Sequence, residues 1–114
     1  MGATTQLEPY EALAVANRFL ALAARDKKPI DHLKLQKLIY FAHGWYLAFT
    51  GSPLLTEHVE AWQYGPVIPT VYHQFKRFGS ATITSPAYRA VEDPFGNMQL
   101  VPYEFRATEY ADRV

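Results

Sequence analysis

The apolar residues in the first part of the chain recur at the spacing of a helix. Between Glu8 and Arg25 they fall three or four positions apart, which predicts a helix with one apolar face. Pro9 suits the first helical position, and the acidic side chain of Glu11 suits the positive end of the helix dipole. The apolar face comprises Ala12, Val15, Ala16, Phe19, Leu20 and Ala23.

A second helix is predicted from Asp31, a good N-cap residue, to Thr50, with Gly51 as its left-handed stop. From Leu38 onward this helix is apolar almost all round, which is typical of a central helix wrapped by others. Gly44 in its middle is interpreted as a point where a neighbouring backbone comes close. We expect the buried residues to be Leu35, Leu38, Ile39, Ala42, Tyr46 and Phe49.

The remaining sequence predicts shorter elements. Residues 54–64 resemble an extended segment that Gly65-Pro66 breaks, and a third helix follows from Val67 or Pro69 to Phe78. Short strands are predicted at 82–84, 87–92 and 98–103, the last two joined as a hairpin by the turn at 93–97, and a fourth helix is predicted from Thr108. The pattern therefore predicts a mainly α (α+β) fold: a compact helical domain around the helix at 31–50, with a small β-hairpin.

The composition is that of a globular protein. The 114 residues correspond to about one domain, and 49% of them are hydrophobic, enough for one core. The absence of cysteine excludes disulfides, thiolate zinc sites and cysteine nucleophiles. The N-terminal sequence does not resemble a signal peptide, and no run of about 18 apolar residues occurs. We therefore expect a cytoplasmic protein that does not act at a membrane.

Charge is balanced overall but unevenly distributed. The formal net charge is zero, which disfavours specific nucleic-acid binding. The segment Arg18–Lys37 has six basic and two acidic residues, whereas Glu92–Asp112 has five acidic and one basic. The two segments either face each other or are simply solvated, or the first forms a basic patch for an acidic partner.

Two motifs carry a resemblance to a known family. The first is LKLQKLIYFAHGWYLA at residues 33–48, and the second is EAWQYGPVIPTVY at residues 60–72. In this order and about a dozen residues apart, they resemble the Panacea domain family, which includes phage-associated GepA-like and SocA-like proteins. The resemblance covers residues 14–79 well and the predicted hairpin loosely.

The resemblance implies an antitoxin that acts by binding another protein. Family members with a known role neutralise protein toxins encoded by adjacent genes, and their fold is mainly helical with a small β element. For this chain it implies a protein toxin from an adjacent gene as partner, no enzymatic activity, no cofactor and no metal. Covering the toxin and presenting it to a protease both remain open as mechanisms. Because members usually continue through a further helical segment, we expect residues 1–114 to form one Panacea-like domain without that segment.

Six residues in the two motifs are candidates for partner binding. They are polar residues in an apolar helix or aromatic residues beside a Gly-Pro turn, and interface hot spots are rich in such aromatics. Alternatively, Gln36 and His43 form a hydrogen-bonded core pair on one helix face, and the aromatics only pack on the core. The candidates are Lys34, Gln36, Lys37, Trp62, Tyr64 and Tyr72.

Two other classes of function remain open at this stage. The basic segment 18–37 would serve a transcriptional regulator of the protein's own operon. An unrecognised hydrolase is a more distant alternative, because the common hydrolase, phosphate-loop and dinucleotide motifs are absent. Glu57, His58, Glu60 and His73 are candidate metal ligands, although such residues are more often a solvated strand face.

Overall fold

The fold consists of three helices and two small hairpins. The computed structural model describes residues 9–63 and 65–106, and all statements below concern that part of the chain. This architecture confirms the predicted α+β class. The elements are α1 (Ala12–Arg25), α2 (His32–Thr50), β1 (Glu60–Trp62), β2 (Gly65–Val67), α3 (Pro69–Phe75), which continues as a 3₁₀ turn at Lys76–Phe78, β3 (Tyr88–Glu92) and β4 (Met98–Pro102).

Helix α1 begins later than the pattern predicted. Pro9 precedes the helix, and Tyr10 forms a parallel bridge with Leu55 instead. The first helical N–H, that of Ala12, donates to the carboxylate of Glu57 at 2.8 Å, and the hydroxyl of Thr70 donates to the same carboxylate at 3.0 Å. One distant side chain thus caps α1 and joins its start to the first turn of α3.

Helix α2 has the predicted ends. The side chain of Asp31 accepts the N–H of Lys34 at 2.8 Å, and Gly51 closes the helix with a φ of 72°. A left-handed residue at this position satisfies a terminal carbonyl, because the Gly51 N–H donates to Leu47 at 2.8 Å. Both boundaries predicted from the capping residues are therefore confirmed.

The core lies on one side of α2. Helix α1, strand β2 and helix α3 all contact this side. Leu38 is only partly buried, and Phe49 is 70% exposed, so the expectation that Phe49 is buried is wrong. Apolar residues occupy the other side as well, but no described element covers them. The buried residues of this core include Leu35, Ile39, Ala42 and Tyr46 of α2, Val15 and Ala16 of α1, and Val71 and Phe75 of α3.

Gly44 lies on the uncovered side of α2. A Cβ built on Gly44 would have no other heavy atom within 4 Å outside its own helical turns. The interpretation of this glycine as a point of close backbone approach is therefore wrong. The residue leaves a shallow depression in the exposed surface of the helix.

The two hairpins differ in how well the sequence predicted them. Strands β3 and β4 pair from Tyr88 opposite Pro102 to Glu92 opposite Met98, which confirms the predicted hairpin. Gly65-Pro66 was expected to end an extended segment, yet it begins β2, with Trp62 opposite Gly65. The φ of 122° at Gly65 explains the choice of residue there, since other side chains rarely adopt it.

Loop segments complete the packing. Residues 82–84 do not form the predicted strand, although the N–H of Ile83 donates to the carbonyl of Ile30 at 2.8 Å. The Asn17 amide of α1 bonds both to the backbone of Ala87, at 2.7 and 2.9 Å, and to the carbonyl of Tyr103 at 2.9 Å. Asn17 therefore fixes the base of the β3–β4 hairpin. The helix predicted from Thr108 lies outside the described residues, and none of the described helices is long and apolar enough to span a membrane.

The one-sided core predicts different costs for two leucine truncations in α2. Leu35→Ala should lower the free energy of unfolding by about 2–5 kcal/mol, because a fully buried side chain is lost. Leu33→Ala should cost less than about 0.5 kcal/mol, because Leu33 lies on the uncovered side. Urea denaturation of both variants checks the difference. Equal costs would contradict the assignment of the two sides.

Candidate protein-interaction site

Gln36 holds the start of α3 against α2. Its side-chain N–H donates to the carbonyl of Ile68 at 3.2 Å, and its side-chain oxygen accepts the N–H of Ile68 at 2.9 Å. Both residues are buried, and Ile68 is the residue immediately before α3. Gln36 is therefore not available on the surface, and its role in the site is to position α3.

The first turn of α3 carries an aromatic cluster at the surface, which we call the Tyr72 cluster. The ring of Tyr72 meets that of Trp62 edge-on, with 5.0 Å between centroids, and that of His32 at 6.0 Å. His73 lies 5.5 Å away, and the Nζ atom of Lys76 lies 6.0 Å from the Tyr72 centroid. The cluster therefore comprises one residue of α2, one of β1, two of α3 and one of the 3₁₀ turn that follows it.

Trp62 gives this cluster its exposed apolar area. It is 37% exposed, and its indole N–H donates to the carboxylate of Glu60 at 3.0 Å. Edge-to-face aromatic pairs restrict each other's rotamers, so binding through them costs little conformational entropy. An exposed tryptophan flanked by a tyrosine and by charges of both signs has the composition of an interface hot spot.

The two candidate lysines lie on a different surface. A helix turns about 100° per residue, so Lys37 points away from the side on which Gln36 bonds to α3. Lys34 and Lys37 are both exposed, and they share what we call the outer face of α2. The structure thus brings Trp62 and Tyr72 together and places the lysines on a separate surface of α2. Tyr64 lies outside the described residues. The remaining members of the outer face are Leu33, Tyr40, Phe41, Gly44, Trp45, Leu47, Ala48 and Phe49.

The acidic and histidine residues near β1 do not assemble as metal ligands. Glu57 uses its carboxylate to cap α1 and to bind Thr70 and Thr56. Among the residues that the structure describes, no group of three or more His, Cys, Asp or Glu side chains is placed to hold a metal ion. The segment therefore connects elements of the fold.

His43 has a different environment from Gln36. Its Nδ1 atom is buried without a hydrogen-bond partner in the described part of the chain, so the alternative of satisfied core residues that fix helix packing holds for Gln36 but not for His43. Burial lowers the pKa of His43 below its ordinary value of 6.5, because desolvation disfavours the charged imidazolium.

Comparison with known proteins identifies the family to which this fold and these surfaces belong. The family model described as "Antitoxin SocA-like, Panacea domain" matches residues 35–107, which include most of α2 and everything described after it. The chain belongs to this family, and the resemblance seen in the two motifs is confirmed.

One curated relative is the protein named "Antitoxin SocA" of Caulobacter vibrioides (strain NA1000 / CB15N). It is 44% identical over 86 residues, which are 75% of this chain and 46% of the relative. The matched part of the chain thus spans about half the length of that relative. No solved structure matches the chain.

Several members of these surfaces were not among the candidates from the sequence. His32 joins the Tyr72 cluster because Gln36 brings α3 to the start of α2, whereas His73 and Lys76 follow Tyr72 by one and four positions, a spacing that the predicted third helix already indicated. The exposed aromatics of α2 are visible in the sequence, because this helix is apolar almost all round and the other predicted elements are few and short. The prediction of a fully wrapped helix overestimates how many of these residues the neighbours cover.

The double hydrogen bond of Gln36 predicts a large cost when its amide is removed. Gln36→Leu should lower the free energy of unfolding by about 1–3 kcal/mol, because the buried N–H of Ile68 loses its partner, whereas the Ile68 carbonyl keeps the N–H of Tyr72 at 3.0 Å. The matched control Gln63→Leu changes an exposed glutamine and should cost less than about 0.5 kcal/mol. Chemical denaturation measures both, and a neutral Gln36→Leu would remove Gln36 from its positioning role.

The lowered pKa of His43 predicts a loss of stability in acid. The unfolded chain protonates His43 more readily than the folded protein does, so the free energy of unfolding should fall as the pH decreases from about 7.5 to about 5. His43→Gln should make this dependence shallower, whereas His58→Gln should keep the contribution of His43. Denaturation series at several pH values measure the slopes. An unchanged slope in His43→Gln would refute the assignment.

Proposed function

We propose that this protein is an antitoxin that neutralises a protein toxin by binding it directly in the cytoplasm, without catalysis of its own. Membership of the SocA-like Panacea family supports the proposal, as does the name of its curated relative. The observation that carries it is the Tyr72 cluster, an ordered group of aromatic and charged residues at the surface.

The proposed contacts are those that the sequence motifs indicated, apart from Gln36. Trp62 and Tyr72 supply apolar area on a rigid base, because the Gln36–Ile68 bonds fix α3 and pairing with β2 fixes Trp62. Lys34 and Lys37 supply positive charge on the outer face of α2. Tyr64 is kept as a proposed contact from the sequence. Charge at the rim of an aromatic contact increases the association rate and the selectivity for an acidic surface.

The proposed partner is a toxin encoded by the neighbouring gene. Direct binding is the step shared by both routes to neutralisation, namely covering the active surface of the toxin and presenting the toxin to a protease. These routes separate in cells that lack individual cytoplasmic proteases. Neutralisation that persists in every such strain would support covering of the toxin, and its loss in one strain would support handover to that protease.

Loss of a proposed contact on either surface should reduce protection without unfolding the protein. In cells that express the neighbouring gene, Trp62→Ala and Lys37→Ala should reduce survival at least tenfold, because hot-spot truncations typically cost 2 kcal/mol or more of binding. The melting temperature of each purified variant should remain within a few degrees of the parent's. Phe95→Ala is the matched control, since Phe95 is 88% exposed in the β3–β4 turn, remote in sequence from these contacts.

Two results would contradict the proposal. If the neighbouring gene product neither harms cells nor binds the protein, the antitoxin function is wrong. If every variant that fails to protect cells is also unfolded, the function stands but these residues serve only the fold.

A further inference from the structure

The outer face of α2 is a large apolar surface that no described element covers. Six of its side chains are 41–70% exposed: Leu33, Tyr40, Phe41, Trp45, Leu47 and Phe49. Because a large aromatic side chain contributes roughly 150–250 Å², the four aromatics alone expose about 300–600 Å². This is about the size of the largest apolar patch on a typical monomer, and such patches are often functional.

The shape of this face suits another helix. Gly44 and Ala48 are four residues apart and therefore lie one above the other along the helix. Tyr40 and Leu47 flank them on one side, and Phe41 and Trp45 flank them on the other. The ring of Trp45 stacks on that of Phe49, with 5.8 Å between centroids. The result is a shallow channel with a floor of small residues and walls of aromatic residues and Leu47, narrowed where the ring centroids of Tyr40 and Phe41 lie 6.0 Å apart.

The charge on this face is concentrated at one end. From His32 to Thr50 the charged residues are Lys34 and Lys37, and the one carboxylate beside them is that of the N-cap residue Asp31, which accepts the backbone N–H of Lys34. Both lysines lie in the first two turns, where the helix dipole is itself positive. A partner whose carboxylates lie at this end would be attracted, and one with lysines there would be repelled.

We propose that the outer face of α2 binds an amphipathic helix of the protein partner, with an apolar stripe along the channel and acidic residues beside Lys34 and Lys37. The inference rests on the proposed function, because the helix is taken to belong to the toxin. Binding of this kind uses apolar anchors at helical spacing in a groove, and the charged end fixes the direction of the bound helix.

A second copy of the chain is a poorer occupant. In a symmetric pair of these faces the lysines would find no carboxylate within the partner's α2, because α2 itself has none. A single acidic helix supplies the missing carboxylates.

Designed peptides test the occupant directly. The probe is a fluorescein-labelled amphipathic peptide of about 18 residues with leucines at helical spacing and two glutamates in one terminal turn. The control peptide has the same sequence with lysines in place of the two glutamates. The acidic peptide should bind at least tenfold more tightly in fluorescence anisotropy, and the difference should shrink with added salt. The double variant Lys34→Glu/Lys37→Glu should reverse the preference, whereas Lys27→Glu/Lys28→Glu should not.

Two further variants change the channel without disturbing the core: one fills it, and the other removes part of its wall. Gly44→Leu places a side chain where no heavy atom lies within 4 Å, and Phe41→Ser removes an exposed apolar side chain. Gly44→Leu should keep or raise the parent's melting temperature, because leucine favours a helix more than glycine does, and Phe41→Ser should keep it within a few degrees. Both should weaken binding of the acidic peptide at least tenfold. Phe95→Ser, the same change at an exposed site in the β3–β4 turn, should leave binding unchanged.

The outcomes separate the inference from the proposed function. Equal binding of the two peptides, or unchanged binding by Gly44→Leu, would overturn the inference. Sedimentation that shows a dimer abolished by Gly44→Leu would overturn it in favour of a second copy. If wild type and Gly44→Leu protect cells equally from the neighbouring toxin, the antitoxin function stands and the inference fails. If the neighbouring gene product is harmless and unbound while the acidic peptide still binds, the function fails and the surface chemistry stands.

Discussion

The pair of hydrogen bonds between Gln36 and Ile68 is the constraint on which the arrangement of the surface depends. A buried amide that both donates to and accepts from one residue fixes position as well as distance, and replacing it with an apolar side chain leaves the N–H of Ile68 unsatisfied, while its carbonyl keeps the N–H of Tyr72. Because Ile68 directly precedes α3, this contact sets where Tyr72 lies relative to His32 and Trp62. A polar residue in an apolar helix here serves recognition indirectly, by placing the residues that are exposed.

Glu57 has a comparable role at the other end of the connection. Its carboxylate receives the first N–H of α1 and the hydroxyl of Thr70, so the starts of two helices share one negative charge. Negative charge at a helix N-terminus is favourable, and here one side chain in a loop provides it for two helices. Glu57 and Asn17, the latter at the base of the β3–β4 hairpin, thus join elements that are far apart in sequence.

Elements defined by local rules could be predicted from the sequence. Asp31 and Gly51 mark the ends of α2 through capping, and the turn before Met98 marks the second hairpin. Features that depend on distant partners could not be predicted. A hydrophobic pattern tells which residues avoid water but not which neighbour covers them, so Phe49 was misplaced. In the candidate site, the proximity of Trp62 and Tyr72 follows from tertiary packing, whereas Lys34 and Lys37 required only helical geometry.

The two-sidedness of α2 has a consequence for how such a protein can change over evolutionary time. Residues that maintain the fold and residues that face outward alternate along the same nineteen-residue helix, often at adjacent positions such as Gln36 and Lys37. A substitution on the outward side removes no core contact and leaves the Ile68 anchor in place, so it is nearly neutral for folding. If the outer face makes the proposed contact, single mutations there can change the choice of partner while the core positions stay constant, so that one helix carries the frame and the recognition surface on opposite sides.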